Sequence, residues 1–231
     1  KIKKIWTNFY PNSLGLFYST ITDFLGFEVN EGEFKVMSLS SFGKPKYENE
    51  LKKIFNTNDF KINIEYFDFH KNLNKSFSKK LCSLIGEPYL DINEVSNFKK
   101  YADIACSAQI ILEQAMENII KKVMKISGKK KIVLTGGVAL NCKMIHNLSK
   151  LNFFEELIVP PSPGDSGSAI GSANFAYLNH KKNKTLKLNT IFLGPKKEMI
   201  NEKIKKDDFF IKISSADTFI EDATSKIING G

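Results

Sequence analysis

Gly136 and Gly137 stand between a short apolar run and a helix-like stretch, in the segment KKKIVLTGGVALNCKM. Paired glycines allow backbone conformations closed to other residues and let a ligand come close to the main chain. By themselves they fit a plain strand-to-helix turn equally well. Asn141, expected one turn into the following helix, has an amide to offer a ring nitrogen or a hydroxyl. Asp165 occupies the matching loop of a second unit, ELIVPPSPGDSGSAIGSANFAYL. A carboxylate there serves either as a ligand for a hard metal ion bridging to phosphates or as a helix N-cap. Backbone N–H groups at the two helix starts face an anion, helped by the helix dipole by about 0.3–1 kcal/mol. The glycine pattern is neither GxxxxGK[ST] nor GxGxxG, so the P-loop and dinucleotide-fingerprint readings fail.

The remaining chemistry-bearing residues are thinly spread. His70, His146 and His180 form no i,i+4 pair; His70 reads as a surface histidine, and His146 as facing the groove or solvent from its helix. Cys82, Cys106 and Cys142 are far apart and contain no C-x-x-C, which argues against a zinc site or a disulfide framework. Cys106 and Cys142 are expected as small core residues, in keeping with a reducing cytoplasm. Glu33 and Lys35 flank Phe34 and read as a surface ion pair. The formal charge of +9 comes almost wholly from lysines scattered among Asn and Ile. Without interleaved aromatics they make a solvated surface, not a nucleic-acid groove.

Around these residues the sequence predicts an α/β frame. The 231 residues, 42% apolar, suffice for one large domain and part of another. No apolar run reaches the roughly 20 residues of a membrane span. The start, KIKKIWTNFY, reads as a piece of a longer polypeptide. Residues 14–25 are periodic for a helix that Gly26 ends, and Gly43-Lys44-Pro45 breaks the chain again. Residues 47–80 read as a variable insertion with a hairpin near Ile62, Ile64 and Tyr66. Phe98, Tyr101, Ala105, Ala108, Leu112, Met116, Ile119, Val123 and Ile126 advance by threes and fours. That stripe predicts a long core helix over 96–126 across the back of a sheet, capped by Ser96 and stopped by Gly128. A buried strand over 131–135 and a helix over 140–150 follow, then a strand over 157–159 and a helix from about Ser166. The small residues Gly167, Ala169, Gly171 and Ala173 suit that last helix to close packing. Two such units in succession argue for ligands at the C-terminal ends of the strands. From Lys181 the composition turns polar and basic, with a helix near 198–206, a strand near 209–213 and a helix over 217–229 expected beyond.

Four blocks, SLGLFYSTITDFLGF, GEFKVMSLSSFG, LTGGVALNCKM and IVPPSPGDSGSAIGSA, together resemble the NodU/CmcH-type O-carbamoyltransferases. The resemblance runs from about Asn12 to Gly194 and is weakest over 47–89. It implies a partial domain of the actin-like ATPase (ribonuclease H-like) fold over 1–183, with strand–loop–helix units on a mixed sheet. It further implies a linker and the start of a truncated C-terminal αβ domain over 184–231. The reaction it implies uses ATP and carbamoyl phosphate to make carbamoyl-adenylate. The carbamoyl group then passes to a hydroxyl of a sugar or natural-product acceptor. Carried over by position, Gly136, Gly137 and Asn141 hold the adenosine, and Ser19, Glu33 and Lys35 contact ribose or phosphates. Asp165 matches the aspartate that ligates an iron-like divalent metal, and is the catalytic residue. The resemblance implies small-molecule partners only, with no nucleic acid and no membrane, and allows a homodimer in the full-length protein.

The departures from that pattern are specific. The family's upstream histidine pair and glycine-rich phosphate strand are absent, as is its downstream arginine- and glycine-rich block. SLSS over 38–41 stands where the family has GLAP. The isolated chain is therefore expected to be inactive. Two other readings stay open: a non-catalytic nucleotide-binding or scaffolding domain of the same fold, and a kinase of that fold.

Overall fold

The computed structural model describes residues 3–72, 74–89, 95–180 and 216–229. The chain divides into two compact units, Lys1–Lys184 and Thr185–Gly231. Helix α1, Leu14–Phe24, opens the first unit. Ser13 caps it, its hydroxyl accepting from the Leu16 N–H at 3.2 Å. At the other end Gly26, with φ of 76°, gives the left-handed turn that lets the Phe27 N–H reach the Thr22 carbonyl. Between the caps Phe17, Tyr18, Ile21 and Phe24 are buried. Each such side chain contributes about 1.5–3 kcal/mol.

Helix α2, Glu33–Leu39, runs into a 3₁₀ turn over Ser40–Phe42, and α3, Glu48–Ile54, follows. Strands β1, Phe55–Asn56, and β2, Lys61–Ile62, form a two-residue antiparallel hairpin. Ile64–Tyr66, expected to continue a strand, is a 3₁₀ turn. Residues 47–80 are no peripheral insertion. Leu51, Ile54, Phe55, Phe67 and Phe77 belong to the main core, and the Phe55 ring lies 5.4 Å from that of Phe17.

After α4, Lys79–Ile85, comes the long helix α5, Val95–Ser127. It starts one residue before the expected Ser96, whose side chain lies outside the described residues. At 33 residues it extends about 50 Å. The predicted stripe is buried in the middle, from Tyr101 to Met116, and exposed at Phe98 and Ile126. Among the described residues the helix's main neighbours are α1, α2, α3, the 40–42 turn and α6, where a sheet was expected. Its alanines allow this enclosure. A Cβ placed on Gly43 would meet the Ala102 carbonyl oxygen at 1.9 Å, so the turn backbone lies directly on the helix backbone. The buried Asp103 side chain accepts from the Lys44 N–H at 2.7 Å and pairs with Lys46 at 2.8 Å.

Strands β3, Lys131–Val133, and β4, Glu156–Ile158, pair in parallel with Ile132 opposite Leu157. Between them lie a 3₁₀ turn over Gly137–Leu140 and α6, Cys142–Ser149; α7, Gly167–His180, follows β4. The two strand–loop–helix units are therefore present, in a mixed α/β arrangement. Among the described residues the parallel and antiparallel pairs stay separate, so no mixed sheet forms. The strand expected to be buried over 131–135 is short and open, with Val133 64% exposed. Helix α7 buries no residue; Gly167 lies close against the Ser162 carbonyl, while a Cβ on Gly171 would meet no described atom within 4 Å. Cys142, expected in the core, is exposed.

In the second unit only α8, Ala216–Ile228, is described. The elements predicted over 198–206 and 209–213, and the linker from Lys181, lie outside the described residues. No described helix is long and apolar enough to cross a membrane.

Candidate functional site

The two strand-end loops are stitched to each other before they meet anything else. The ladder extends past β3 through a bond from the Leu134 N–H to the Ile158 carbonyl, 2.9 Å. The Gly136 N–H then donates to the Pro163 carbonyl at 2.7 Å. Gly136 has φ of 101°, a conformation open to glycine and costly for other residues. It turns the chain so that Gly137 begins the 3₁₀ segment facing an open cavity. A Cβ on Gly137 would find no atom within 4 Å beyond its chain neighbours, so no described residue fills that space.

The cavity holds about 620 Å³. Its walls come from α1 (Gly15, Tyr18, Ser19), the 30–37 segment (Glu33, Phe34, Met37), α5 (Leu112) and the loops carrying Gly137, Asn141 and Asp165. A volume in the range of roughly 300–1,000 Å³ suits a nucleoside-sized ligand. Five of the predicted residues, Ser19, Glu33, Gly137, Asn141 and Asp165, thus share one cavity. Gly136 and Lys35 do not line it. Gly136 shapes the turn behind Gly137, and the Lys35 ammonium sits 5.7 and 5.9 Å from the ring centres of Phe27 and Phe34. A second, separate depression of about 470 Å³ beside β1 and α5 contains none of the predicted residues.

Glu33 makes no pair with Lys35. Its Oε1 accepts from the Ser19 hydroxyl at 2.7 Å and from the Asn30 N–H at 3.0 Å. Two residues of a helix at i and i+2 point apart, which is why the expected ion pair fails.

Asn141 is not one turn into a helix but is its N-cap. Its Oδ1 accepts from the Met144 N–H at 2.9 Å. Since a backbone N–H can only donate, this bond fixes which side of the amide is oxygen. The rest of the cavity floor then follows. Asn141 and Gln109 exchange two bonds of 2.9 Å, and the Tyr18 hydroxyl donates to Gln109 Oε1 at 2.9 Å. Gln109 Nε2 also donates to Glu113 at 2.7 Å, and Glu113 accepts from Asn147 at 2.9 Å. Burial pushes the Tyr18 phenol upward, an effect the Asn141 amide partly opposes and the charges of Glu113 and Glu33 reinforce. Helix α5 is therefore not scaffold alone, since Leu112 lines the cavity and Gln109 ties its floor. The sequence does carry a signal for Gln109, a polar residue set among Ala105, Ala108 and Leu112 in the apolar stripe.

Asp165 is exposed, and its carboxylate has no partner among the described residues. The following helix starts at Gly167, two residues later, which leaves Asp165 outside the N-cap position. No group of three or more His, Cys, Asp or Glu among the described residues is placed to hold a metal ion. A single carboxylate does not hold a divalent ion against water, so these residues do not by themselves fit one. His70 and His146 are exposed, as is His180.

Comparison with known proteins gives a consistent result. Residues 2–174 match the family described as carbamoyltransferase N-terminus. The uncharacterized protein sll1178 of Synechocystis is 32% identical over 209 residues, covering 87% of this chain and 33% of that protein. Nodulation protein NolNO of Sinorhizobium fredii is 27% identical over 178 residues, covering 75% of this chain and 24% of its own length. Nodulation protein NolO of Bradyrhizobium diazoefficiens is 27% identical over 166 residues, 70% of this chain and 28% of that protein. The chain thus spans a third or less of the length of these curated relatives.

Proposed function

Since the chain belongs to the carbamoyltransferase family, matching its N-terminal region, we propose that it forms the nucleotide-holding part of an ATP-dependent O-carbamoyltransferase. The observation that carries this reading is the single cavity onto which Ser19, Glu33, Gly137, Asn141 and Asp165 converge. Its frame is that of an actin-like ATPase domain, with 184–231 leading into a second domain. The donor is carbamoyl-adenylate, made from carbamoyl phosphate and ATP with uptake of one water and release of phosphate and pyrophosphate. An acceptor hydroxyl attacks its carbamoyl carbon and gives up its proton to solvent, the bond from that carbon to the phosphate oxygen breaks, and AMP leaves with the electron pair.

The chain's own residues position the donor. Gly137 gives a shelf without a side chain, on which the adenosine lies against the main chain. Glu33, already oriented by Ser19 and Asn30, has lone pairs left for ribose hydroxyls. Asn141 acts differently from the amide contact expected of it: it is occupied as a cap, and it fixes the floor through Gln109. Asp165, free at the rim, faces the reacting end. A divalent ion there would draw its other ligands from outside the described residues, and we derive no step through it.

The test uses the whole polypeptide with ATP, carbamoyl phosphate and a panel of hydroxylated sugars, and reads product mass. A product bearing one carbamoyl group in place of a hydrogen is expected. A phosphorylated product would favour the kinase reading, and nucleotide binding with no product from any acceptor would favour a non-catalytic domain.

A further inference from the structure

The depression beside β1 and α5 holds about 470 Å³, within the range of roughly 300–1,000 Å³ for ligand sites. It lies apart from the cavity at Gly137. Leu112 faces that cavity while Gln114 and Asn118 line the depression, and helix residues two apart point away from each other. The other wall is the loop that joins β1 to β2, with Thr57 and Asn58. That loop is held in one shape. Asn56 Oδ1 accepts from the N–H groups of Asn58 and Asp59 at 2.9 and 3.0 Å, and Asn8 Nδ2 donates to the Phe60 carbonyl at 2.7 Å. Phe60 is buried with φ of 57°, a left-handed conformation costly for a bulky side chain. Strain of this kind gathers at ligand clamps.

The bonds behind the wall settle which atoms face a ligand. Asn118 Nδ2 donates to the Thr57 carbonyl at 3.1 Å and to Asn58 Oδ1 at 3.2 Å. A carbonyl only accepts, so Asn118 keeps its Oδ1 unbonded and Asn58 keeps its Nδ2. Gln114 Nε2 donates to Glu48 at 3.0 Å, which leaves Gln114 Oε1. With the Thr57 hydroxyl, the depression presents one amide donor, two amide acceptors and one group that does both. Its charges are already compensated, Lys52 by Glu48 at 2.7 Å and Glu117 by Lys121. An anion would use the donors and leave both amide carbonyls unmatched, and a cation the reverse. Neighbouring hydroxyls on a sugar ring both donate and accept, and meet the whole set.

We propose that this depression is a binding site for a neutral saccharide, distinct from the cavity at Gly137. The proposal stands whether or not the nucleotide reading does.

The experiment is a saturation-transfer NMR titration of the whole polypeptide with methyl glucoside, glucuronate and glucosamine. It is run at about pH 6, where the amine carries its proton. Methyl glucoside is expected to bind with a dissociation constant on the order of 1 mM, and both charged sugars about tenfold more weakly. Thr57→Val and Gln114→Met should each weaken methyl glucoside about three- to tenfold at unchanged melting temperature. Gly137→Val, in the other cavity, should leave it unaltered. No saturable binding up to about 100 mM would overturn the proposal. So would glucuronate or glucosamine binding more tightly than methyl glucoside. Affinity unchanged in Thr57→Val and Gln114→Met, with both folded, would put the sugar elsewhere and overturn it equally.

Discussion

Asp103 shows how a charge is used in this protein for structure and not for chemistry. Burial alone would raise its pKa, but the bond from Lys46, the Lys44 N–H and the charges of Lys46 and Lys99 outweigh that and hold it below the usual carboxylate range. A depressed carboxylate stabilises the fold above its unfolded pKa of about 3.9, and that stability is lost as pH falls through the lower folded value. Asp103→Asn should therefore lower the urea midpoint at pH 7, with the difference from wild type shrinking as pH falls below the unfolded value of about 3.9. Gln109→Leu keeps volume but strips partners from Tyr18, Asn141 and Glu113, and should cost about 1–3 kcal/mol in the same measurement. Asp165→Asn has a different signature. The carboxylate caps nothing, so the melting temperature should not move, while carbamoyl transfer by the whole polypeptide should fall. Unchanged transfer would remove Asp165 from the site. The glycine pair and Asp165 were legible because each punctuates a local pattern. The partners of Asn141 and Gln109 were not, because Gln109 is 32 positions from Asn141 and 91 from Tyr18, and no local periodicity encodes such pairings.

Helix α5 was the clearest element in the sequence, and its 3.6-residue stripe placed Tyr101, Ala105, Ala108, Leu112 and Met116 correctly in the core. Periodicity identifies which face is buried but not what covers it, and among the described residues helices are its main neighbours where a sheet was expected. Leu112→Ala should cost about 2–5 kcal/mol through the cavity it leaves. A denaturation midpoint matching wild type would show the buried face to be misplaced. Because Leu112 also lines the cavity, the same variant should weaken adenosine binding, an effect that a purely structural helix would not produce. The α2 helix and the 3₁₀ turns escaped the sequence reading for a different reason. Seven residues and three residues are too short for a 3.6-residue pattern to show above composition. Strand β3 was placed within two residues, but its apolar content was mistaken for burial. Burial depends on what lies across the strand, which its own residues do not state.

The chain assembles one cavity from segments that are remote in sequence, and that assembly is what the family resemblance alone does not describe. Helices α1 and α5 give a rigid wall and floor, while the loops after β3 and β4, joined through Gly136 and Pro163, bring Gly137 and Asp165 to the same opening. The four sequence blocks marked the family and most of the wall, since blocks of that length hold whole loops intact. They did not show that Lys35 stays out of the wall or that Asn141 is spent as a cap. Both outcomes depend on neighbours, the Phe27 and Phe34 rings in one case and the Met144 N–H in the other. The central claim is that the adenosine lies against the bare main chain at Gly137. Titration calorimetry of adenosine into the wild-type chain and into Gly137→Val tests it most directly. The Cβ of a valine there meets no atom of the described residues beyond its chain neighbours within 4 Å, so melting temperatures should agree while adenosine binding disappears. Equal affinity in the two proteins, with both folded, would contradict the account.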